Sequence, residues 1–432
     1  MTTAPGHAPR AAALKLLHAV LGRRAPLDQA IENDPAFRAL APRDRAFARR
    51  LTATVSRRLG QIDAALAACL ERPLPRNAET VRNALRLGAA QVLFLETPAH
   101  AAVATSVALI PGRFGRLKGL ANAVLRRLVR DGETMIAGQD EARLNTPEWL
   151  WTRWSEFFGP DTCRRIAEAH LAPPPLDLTV RESPAAWAER LQGTVLPTGT
   201  VRLIETAAIA DLPGFGEGAW WVQDAAAALP VKILGDVAGR TVIDLCAAPG
   251  GKTMQLASLG ANVIAVDRSS ARLARLKENL LRLRLGAECV VADAAAWAPP
   301  APAEIVLLDA PCSSTGTIRR HPDIPHGKTA DDIVRLAETQ GRLLVAAAKM
   351  VAPGGRLLYC VCSLEPEEGV GQIAHFLENR APFVREPVRA FEIFGQSQFV
   401  TAEGDLRTLP CHWPDLGGMD GFFVARLRRI SP

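Results

Sequence analysis

Residues 241–253 read TVIDLCAAPGGKT, and this stretch decides the fold. Thr241, Val242, Ile243 and Leu245 form a short β-branched, apolar run, the pattern of a buried strand. A Pro-Gly-Gly turn follows, and KTMQLASL then reads as a helix. Strand, glycine turn and helix make the opening unit of a doubly wound α/β domain. Gly250 and Gly251 carry no Cβ, so the backbone can turn sharply there and lie close to a ligand. The helix that follows turns its free N–H groups and positive dipole end toward the turn. A phosphate loop would require Gly where Cys246 stands, and the dinucleotide pattern GxGxxG is absent. An ordinary tight strand–helix turn remains an alternative.

The next strand argues for a nucleoside. Residues 261–267 read ANVIAVD and place Asp267 at a strand end, 23 positions after Asp244. An acidic residue at about that distance binds ribose hydroxyls in nucleotide-binding α/β domains. S-adenosylmethionine carries a ribose and an amino-acid carboxylate but no phosphate, so it fits this turn. Further strands are expected at 287–293, 304–309 and 355–361, with helices at Ala271–Leu285 and Ala330–Met350 between them. This alternation predicts a parallel sheet with right-handed crossovers. Asp244, Asp267, Asp293 and Asp309 then all fall at carboxyl strand ends, where ligands of such sheets bind.

Two cysteine loops follow the fourth and fifth strands: Asp309-Ala310-Pro311-Cys312-Ser313-Ser314 and Tyr359-Cys360-Val361-Cys362-Ser363. If those strands are neighbours, Cys312 and Cys362 face one crevice. Two thiols beside a methyl donor point to methylation at C5 of a pyrimidine. That carbon becomes nucleophilic only after a thiolate adds to C6, so the chemistry is covalent. The attacking thiol needs a depressed pKa or a hydrogen-bonding partner. Asp309 could hydrogen-bond the cytosine amino/N3 edge and stabilise developing charge. The residues alone do not choose between the cysteines; a Pro-Cys nucleophile, as in DNA pyrimidine methylation, would be Cys312. Cys69, Cys163, Cys289, Cys360 and Cys411 are read as packing residues. No CxxC pair occurs and no histidine lies at ligand spacing, so no metal is expected, and a redox pair is the weaker reading of the two thiols.

Charge is distributed unevenly. The 432 residues carry a net +6, but residues 1–135 hold 21 Lys/Arg against 10 Asp/Glu, and the remainder 30 against 35. A basic front segment on a weakly acidic body suggests a polyanion-binding module. From Ala11 to Arg130 the apolar spacing is helical, with Pro73, Pro75, Pro98 and Pro111 as punctuation. Arg45, Arg49, Arg50, Arg57 and Arg58 lie on or near one helix, and Arg126, Arg127 and Arg130 on another. Residues 1–10 are expected to be an unstructured tail, and Asp131–Asn145 a polar linker. Thr146 is expected to cap a helix starting at Pro147. Strands are expected at Leu176–Arg181, Val201–Ile204 and Trp220–Val222. Composition is 48% apolar and 22% charged, as in globular chains. With no span-length apolar run and no dense cysteine pairing, a cytoplasmic location without membrane attachment is expected.

Two resemblances sharpen these expectations. DRAFARRLTATVSRRLGQID and GLANAVLRRL resemble the NusB-type RNA-binding domain. DLCAAPGGKT, DAPCSSTG, RRHPDI and VCSLEPEE look like the motifs of Sun/Nop2-type RNA cytosine-C5 methyltransferases. The resemblance implies three segments: an all-α NusB-like domain (1–135), a small α/β module (146–221) and a C-terminal Rossmann-like methyltransferase domain (222–432). It implies that Cys246, Ala247, Ala248, Pro249, Gly250, Gly251, Lys252, Asp267, Asp293 and Asp309 contact S-adenosylmethionine. It also implies Cys362 as the nucleophile and Cys312 as its aid in product release. The family usually places Thr before the nucleophilic cysteine; Val361 stands there in this chain. Small-subunit (16S) rRNA is the implied substrate, through an unpaired or flipped cytosine. Arg319, Arg320 and His321 are expected to touch phosphate or cytosine. No obligate protein partner is inferred. The rivals are the same chemistry on tRNA or 23S rRNA, and a non-catalytic NusB-like RNA-binding factor.

Overall fold

The apolar run at 241–245 becomes the middle of a large mixed sheet in the computed structural model of the chain, which describes residues 6–204, 208–379 and 382–430. Within those residues the chain forms two compact units, 1–172 with 318–329, and 173–317 with 330–432.

The larger unit holds both sheets. Strands β1 (Leu176–Val180), β2 (Thr194–Val195), β3 (Val201–Leu203) and β4 (Trp220–Val222) pair antiparallel in the order β2-β3-β1-β4. Eight strands form the second sheet: β5 (Thr241–Leu245), β6 (Asn262–Asp267), β7 (Glu288–Val291), β8 (Ala303–Asp309), β9 (Val351–Val361), β10 (Phe383–Arg385), β11 (Leu406–Thr408) and β12 (Phe422–Arg429). Their order is β10-β12-β9-β8-β5-β6-β7, with β11 on β12. Strands β5 to β9 pair parallel as expected, but β12 runs antiparallel to β9, with Val424 opposite Cys360. The sheet is therefore mixed rather than wholly parallel. Because β8 and β9 are neighbours, Asp309 stands opposite Cys360.

The helix Ser270–Leu283 shows how the sheet is covered. The Ser269 hydroxyl caps it by accepting from the Arg272 N–H at 3.3 Å. Leu273, Leu276, Leu280 and Leu283 recur at helical spacing and are buried. Each such leucine contributes roughly 1.5–3 kcal/mol on burial. The four-stranded sheet is not a separate linker. Arg202 pairs with Asp177 through two bonds of 2.7 Å and donates to the carbonyls of Leu416 and Gly418. Asp177 also accepts the Ala225 N–H that opens the next helix, joining the small sheet to the large one.

The smaller unit is helical. Leu17, Leu51, Val55, Ile62, Leu85 and Leu128 share its core. Three expectations change here. A helix already covers His7–Leu17, so the tail is at most residues 1–6, of which 1–5 lie outside the described residues. The expected linker is mostly helical, since Lys118–Ala137 continues through it and Glu141–Asn145 follows, capped by Asp140. Helices Glu148–Phe158 and Pro160–His170 pack with this unit, so the division expected near 146 falls at 172/173. The first of these starts one residue later than expected, with Pro147 rather than Thr146 at the cap position.

Residues 318–329 also belong to the smaller unit. The Arg57 guanidinium donates to the Arg319 carbonyl at 2.8 Å, the Leu27 N–H to Asp323 at 2.9 Å, and the His326 ring Nε2 to the Ser56 carbonyl at 2.8 Å. Arg319 is only 2% exposed, so its guanidinium is not a solvent-facing contact for phosphate; burial in this core overrides the expectation from its charge. His321 pairs with Asp28 at 3.5 Å. Arg57 and Arg58 are likewise committed to the protein, Arg58 to Glu141 and to the Leu171 carbonyl. Burial, with Arg58 alongside, lowers Arg57 to about 10.

Candidate active site

At the end of β5 the chain turns through Cys246, which has φ +59°, and reaches the helix Gly251–Ser258. Gly250 has φ +107°, and a Cβ there would lie 2.1 Å from Leu276 Cδ1. Only glycine fits. Gly251 is different: it is helical, and a Cβ would meet Gln223 at an ordinary 3.5 Å. The fold therefore needs Gly250, whereas Gly251 leaves space beside the helix N-terminus. Asp267 ends β6 and braces the turn, accepting from the N–H groups of Ala248 at 3.1 Å and Ser269 at 2.9 Å. Arg272 pairs with Asp267 at 3.5 Å and also bonds the Ala248 carbonyl.

Cys246, Asp267 and Asp293 line one cleft, joined by Arg272, Thr339 and Arg342. Asp293 lies two residues beyond the end of β7 and is exposed, with one carboxylate oxygen accepting from the Ala295 N–H at 2.9 Å. Ala247, Ala248, Pro249, Gly250 and Gly251 form the turn itself. The cleft fits a nucleoside, with one carboxylate at the end of β6, another just past the end of β7 and guanidinium groups beside them; of the turn residues only Cys246 lines it. Asp244 lies beneath, fully buried. It accepts from the Thr253 hydroxyl at 2.5 Å, and its other oxygen has no hydrogen-bond partner among the described residues. Burial, reinforced by Asp309 and Asp267, lifts it to about 7 against the pull of Thr253 and Lys252.

Lys252 is buried and does not line this cleft; its ammonium pairs with Asp309 at 2.8 Å. Burial pulls its pKa down, but Asp309 outweighs burial and holds it above the ordinary lysine value. Asp309 ends β8 and is one-third exposed; its second oxygen lies 3.5 Å from the Cys360 Sγ. Cys360 is wholly buried, and burial pushes its thiol far up, which suits a packing role. Burial, then Asp309 and its neighbouring carboxylates, also raises Cys246 to about 12, unsuited to attack.

Cys312 and Cys362 come together. Their sulfurs are 3.4 Å apart, and the Cys362 sulfur is 3.5 Å from the Ser314 hydroxyl. The Cys312 thiol donates toward Cys362 and lowers its pKa, and Ser314 adds to this against the cost of burial. The same pairing, then burial, raises Cys312 well above the ordinary thiol value. Of the two thiols, the pairing favours the charged form of Cys362 over that of Cys312. Ser314 is held in the left-handed region at φ +61°, a conformation that concentrates at functional sites. Among the described residues no group of His, Cys, Asp and Glu has the geometry to hold a metal ion, and no helix is long and apolar enough to cross a membrane.

Comparison with known proteins gives the family. The family described as "16S rRNA methyltransferase RsmB/F" matches residues 231–428, and the NusB family matches residues 7–130. A protein of Pseudomonas putida named ribosomal RNA small subunit methyltransferase B is 37% identical over 98% of this chain and 99% of its own length. The chain belongs to the ribosomal RNA small subunit methyltransferase B family. A Vibrio cholerae protein of the same name is 37% identical over 87% of this chain and 90% of its own. The crystal structure of PH0851 superposes with a TM-score of 0.73 at 24% identity, covering 99% of this chain and 100% of that one, and so shares the fold.

Sequence reasoning missed Arg272, Arg342 and Thr339, which ordinary helix patterns conceal until the helices are placed. It also passed over Ser313 and Ser363, although one signal was present: Cys312 and Cys362 are each followed directly by serine.

Proposed function

We propose that this chain methylates C5 of a cytosine in 16S rRNA through a covalent bond between Cys362 and C6 of the base. Methyl transfer to rRNA from S-adenosylmethionine follows from family membership and from the cleft beside β5, β6 and β7. The observation that supports the covalent route is the 3.4 Å approach of Cys312 and Cys362 at the ends of β8 and β9.

S-adenosylmethionine supplies the methyl group; Asp267 and Asp293 would hold its ribose and the turn at 246–251 its amino-acid end. The Cys362 thiolate adds to C6, and the electron pair of the C5–C6 double bond becomes available at C5. Asp309, kept in place by Lys252, hydrogen-bonds the cytosine amino/N3 edge, and as the carboxylic acid it would pass its proton to N3 and so neutralise the negative charge that develops on addition. After methylation a base takes the C5 proton, and the electron pair left on C5 restores the double bond as the S–C6 bond breaks and returns the Cys362 thiolate. Cys312, adjacent to that bond, assists release. The cytosine reaches Cys362 unpaired or flipped, and the free thiols suit the reducing cytoplasm.

The test is transfer from labelled S-adenosylmethionine to unmodified small-subunit rRNA, with the site mapped by bisulfite protection. One protected cytosine is expected. Transfer only to tRNA or 23S rRNA would discard the substrate and keep the chemistry. Label at a position other than cytosine C5 would discard the chemistry.

A further inference from the structure

Resting on that reading of the cysteines, we propose that Glu368 is a positioning residue that sets the separation of Cys312 and Cys362 by clamping the two cysteine loops through one buried carboxylate.

Ser313 follows Cys312 and Ser363 follows Cys362. Both are fully buried, and their hydroxyl oxygens are 3.1 Å apart. Each donates to the same oxygen of Glu368, and both distances are 2.5 Å. The other Glu368 oxygen accepts from the Ser313 N–H and from Gln340 Nε2, both at 2.9 Å. Glu368 is 0% exposed. Four donors from three segments therefore converge on one carboxylate, and no cation is among them. Two further bonds fix the direction of the arrangement. The Ser363 oxygen accepts the Glu365 N–H at 3.0 Å, so its own hydrogen is free for Glu368. The Tyr359 hydroxyl donates to the Glu368 carbonyl at 2.6 Å, holding the backbone of the clamp against β9.

Burial raises the Glu368 carboxyl, and the two serines and Gln340 oppose that rise. The ionised group accepts all four bonds, whereas a neutral side chain must place a hydrogen against at least one donor. Charge-assisted bonds to a carboxylate are short and about twice as strong as neutral ones. Each serine is one residue from its cysteine, so lengthening either arm moves a sulfur. Glu368 does not itself line the cleft; it meets the cleft wall only through Gln340, which also donates to the Pro311 carbonyl at 3.0 Å, so its effect on the sulfurs runs through the loops.

Phenylarsine oxide tests this without requiring methyl transfer. It condenses with two adjacent thiols to give a cyclic dithioarsenite and one water, with no change in sulfur oxidation. The full chain should capture one equivalent through Cys312 and Cys362, and Cys312→Ala should abolish that capture. Glu368→Gln should slow capture at least tenfold and lower kcat at least tenfold, while KM for S-adenosylmethionine stays within twofold. Wild-type capture and turnover in Glu368→Gln would overturn the clamp. If Glu368→Gln loses cofactor binding, Ser313→Ala and Ser363→Ala carry the test: each removes one arm and should slow capture, and unchanged capture in both overturns the clamp. Slowed capture in the variants of an enzyme that makes no 5-methylcytosine would retain the clamp and reject the proposed function.

Discussion

The two thiols at 3.4 Å are chemically alike but differently placed, and this difference supports the separate roles proposed for them. The Cys362 sulfur lies 3.4 Å from the Cys312 sulfur and 3.5 Å from the Ser314 hydroxyl, contacts that favour its thiolate, whereas the same pairing disfavours the charged form of Cys312. Alkylation of Cys362 by iodoacetamide should accelerate as pH rises through a midpoint below that of a free thiol. In Cys312→Ala the missing donor should move that midpoint upward; peptide mass spectrometry across a pH series reads both, and an unmoved midpoint would refute the donor role. Cys362→Ala should abolish methyl transfer with S-adenosylmethionine binding intact, and Cys312→Ala should accumulate a protein–RNA adduct visible on denaturing gels. The cysteine pair was legible in the sequence on the condition that the fourth and fifth strands are neighbours, and the pairing of β8 with β9 meets that condition. The direction of Lys252 was not, since a long side chain can reach several partners; its own burial leaves the ammonium in need of a counter-charge, and Asp309 at 2.8 Å supplies one.

At the level of elements, the turn after β5 separates a glycine required by the fold from one that is not. Gly250→Ala must place a Cβ against Leu276 at a positive φ, and should cost about 2 kcal/mol or more. Gly251→Ala should leave the melting temperature within a degree or two and weaken S-adenosylmethionine binding by about tenfold, roughly 1.4 kcal/mol. Thermal melts with and without the cofactor separate the two; equal destabilisation by both would contradict the geometry. The helix Pro160–His170 supplies a pH dependence. His170 is buried against Trp154, with ring centroids 5.6 Å apart, and burial, with Arg319 and Arg57 adding to it, depresses its pKa to about 3. The unfolded chain binds this proton near pH 6.5 and the folded chain does not. Stability from this group is thus complete above about pH 6.5 and falls toward pH 3 by up to about 1.4 kcal/mol per unit. His170→Phe should flatten that limb in denaturant titrations followed by tryptophan fluorescence, and an unchanged slope would remove His170 as its source. The parallel strands were legible because each holds a short apolar run that ends in a turn. Strands β10 and β11 were not, since each has only three residues, and β12 carries Arg426, Arg428 and Arg429 within its apolar pattern.

Across the whole molecule, charge divides between binding and construction. Part of the basic excess in residues 1–135 is internal: Arg57 and Arg58 bond backbone carbonyls, and Arg86 pairs with Asp63 at 2.6 Å. Arg43, Arg50, Arg126 and Arg127 are exposed instead. Removing residues 1–135 would be a poor test of RNA binding, because it would also strip Leu27, Ser56 and Arg57 from the segment 318–329 that they hold. Neutralising the four exposed arginines to Gln leaves those bonds intact. Affinity for small-subunit rRNA should fall at least tenfold, and the slope of log K against log salt should shrink by about 0.7–0.9 for each phosphate that is no longer neutralised. S-adenosylmethionine affinity and the melting temperature should not change. An unchanged salt slope would mean that the RNA is held by another face, and the helical domain would then serve chiefly as the seat of the 318–329 segment.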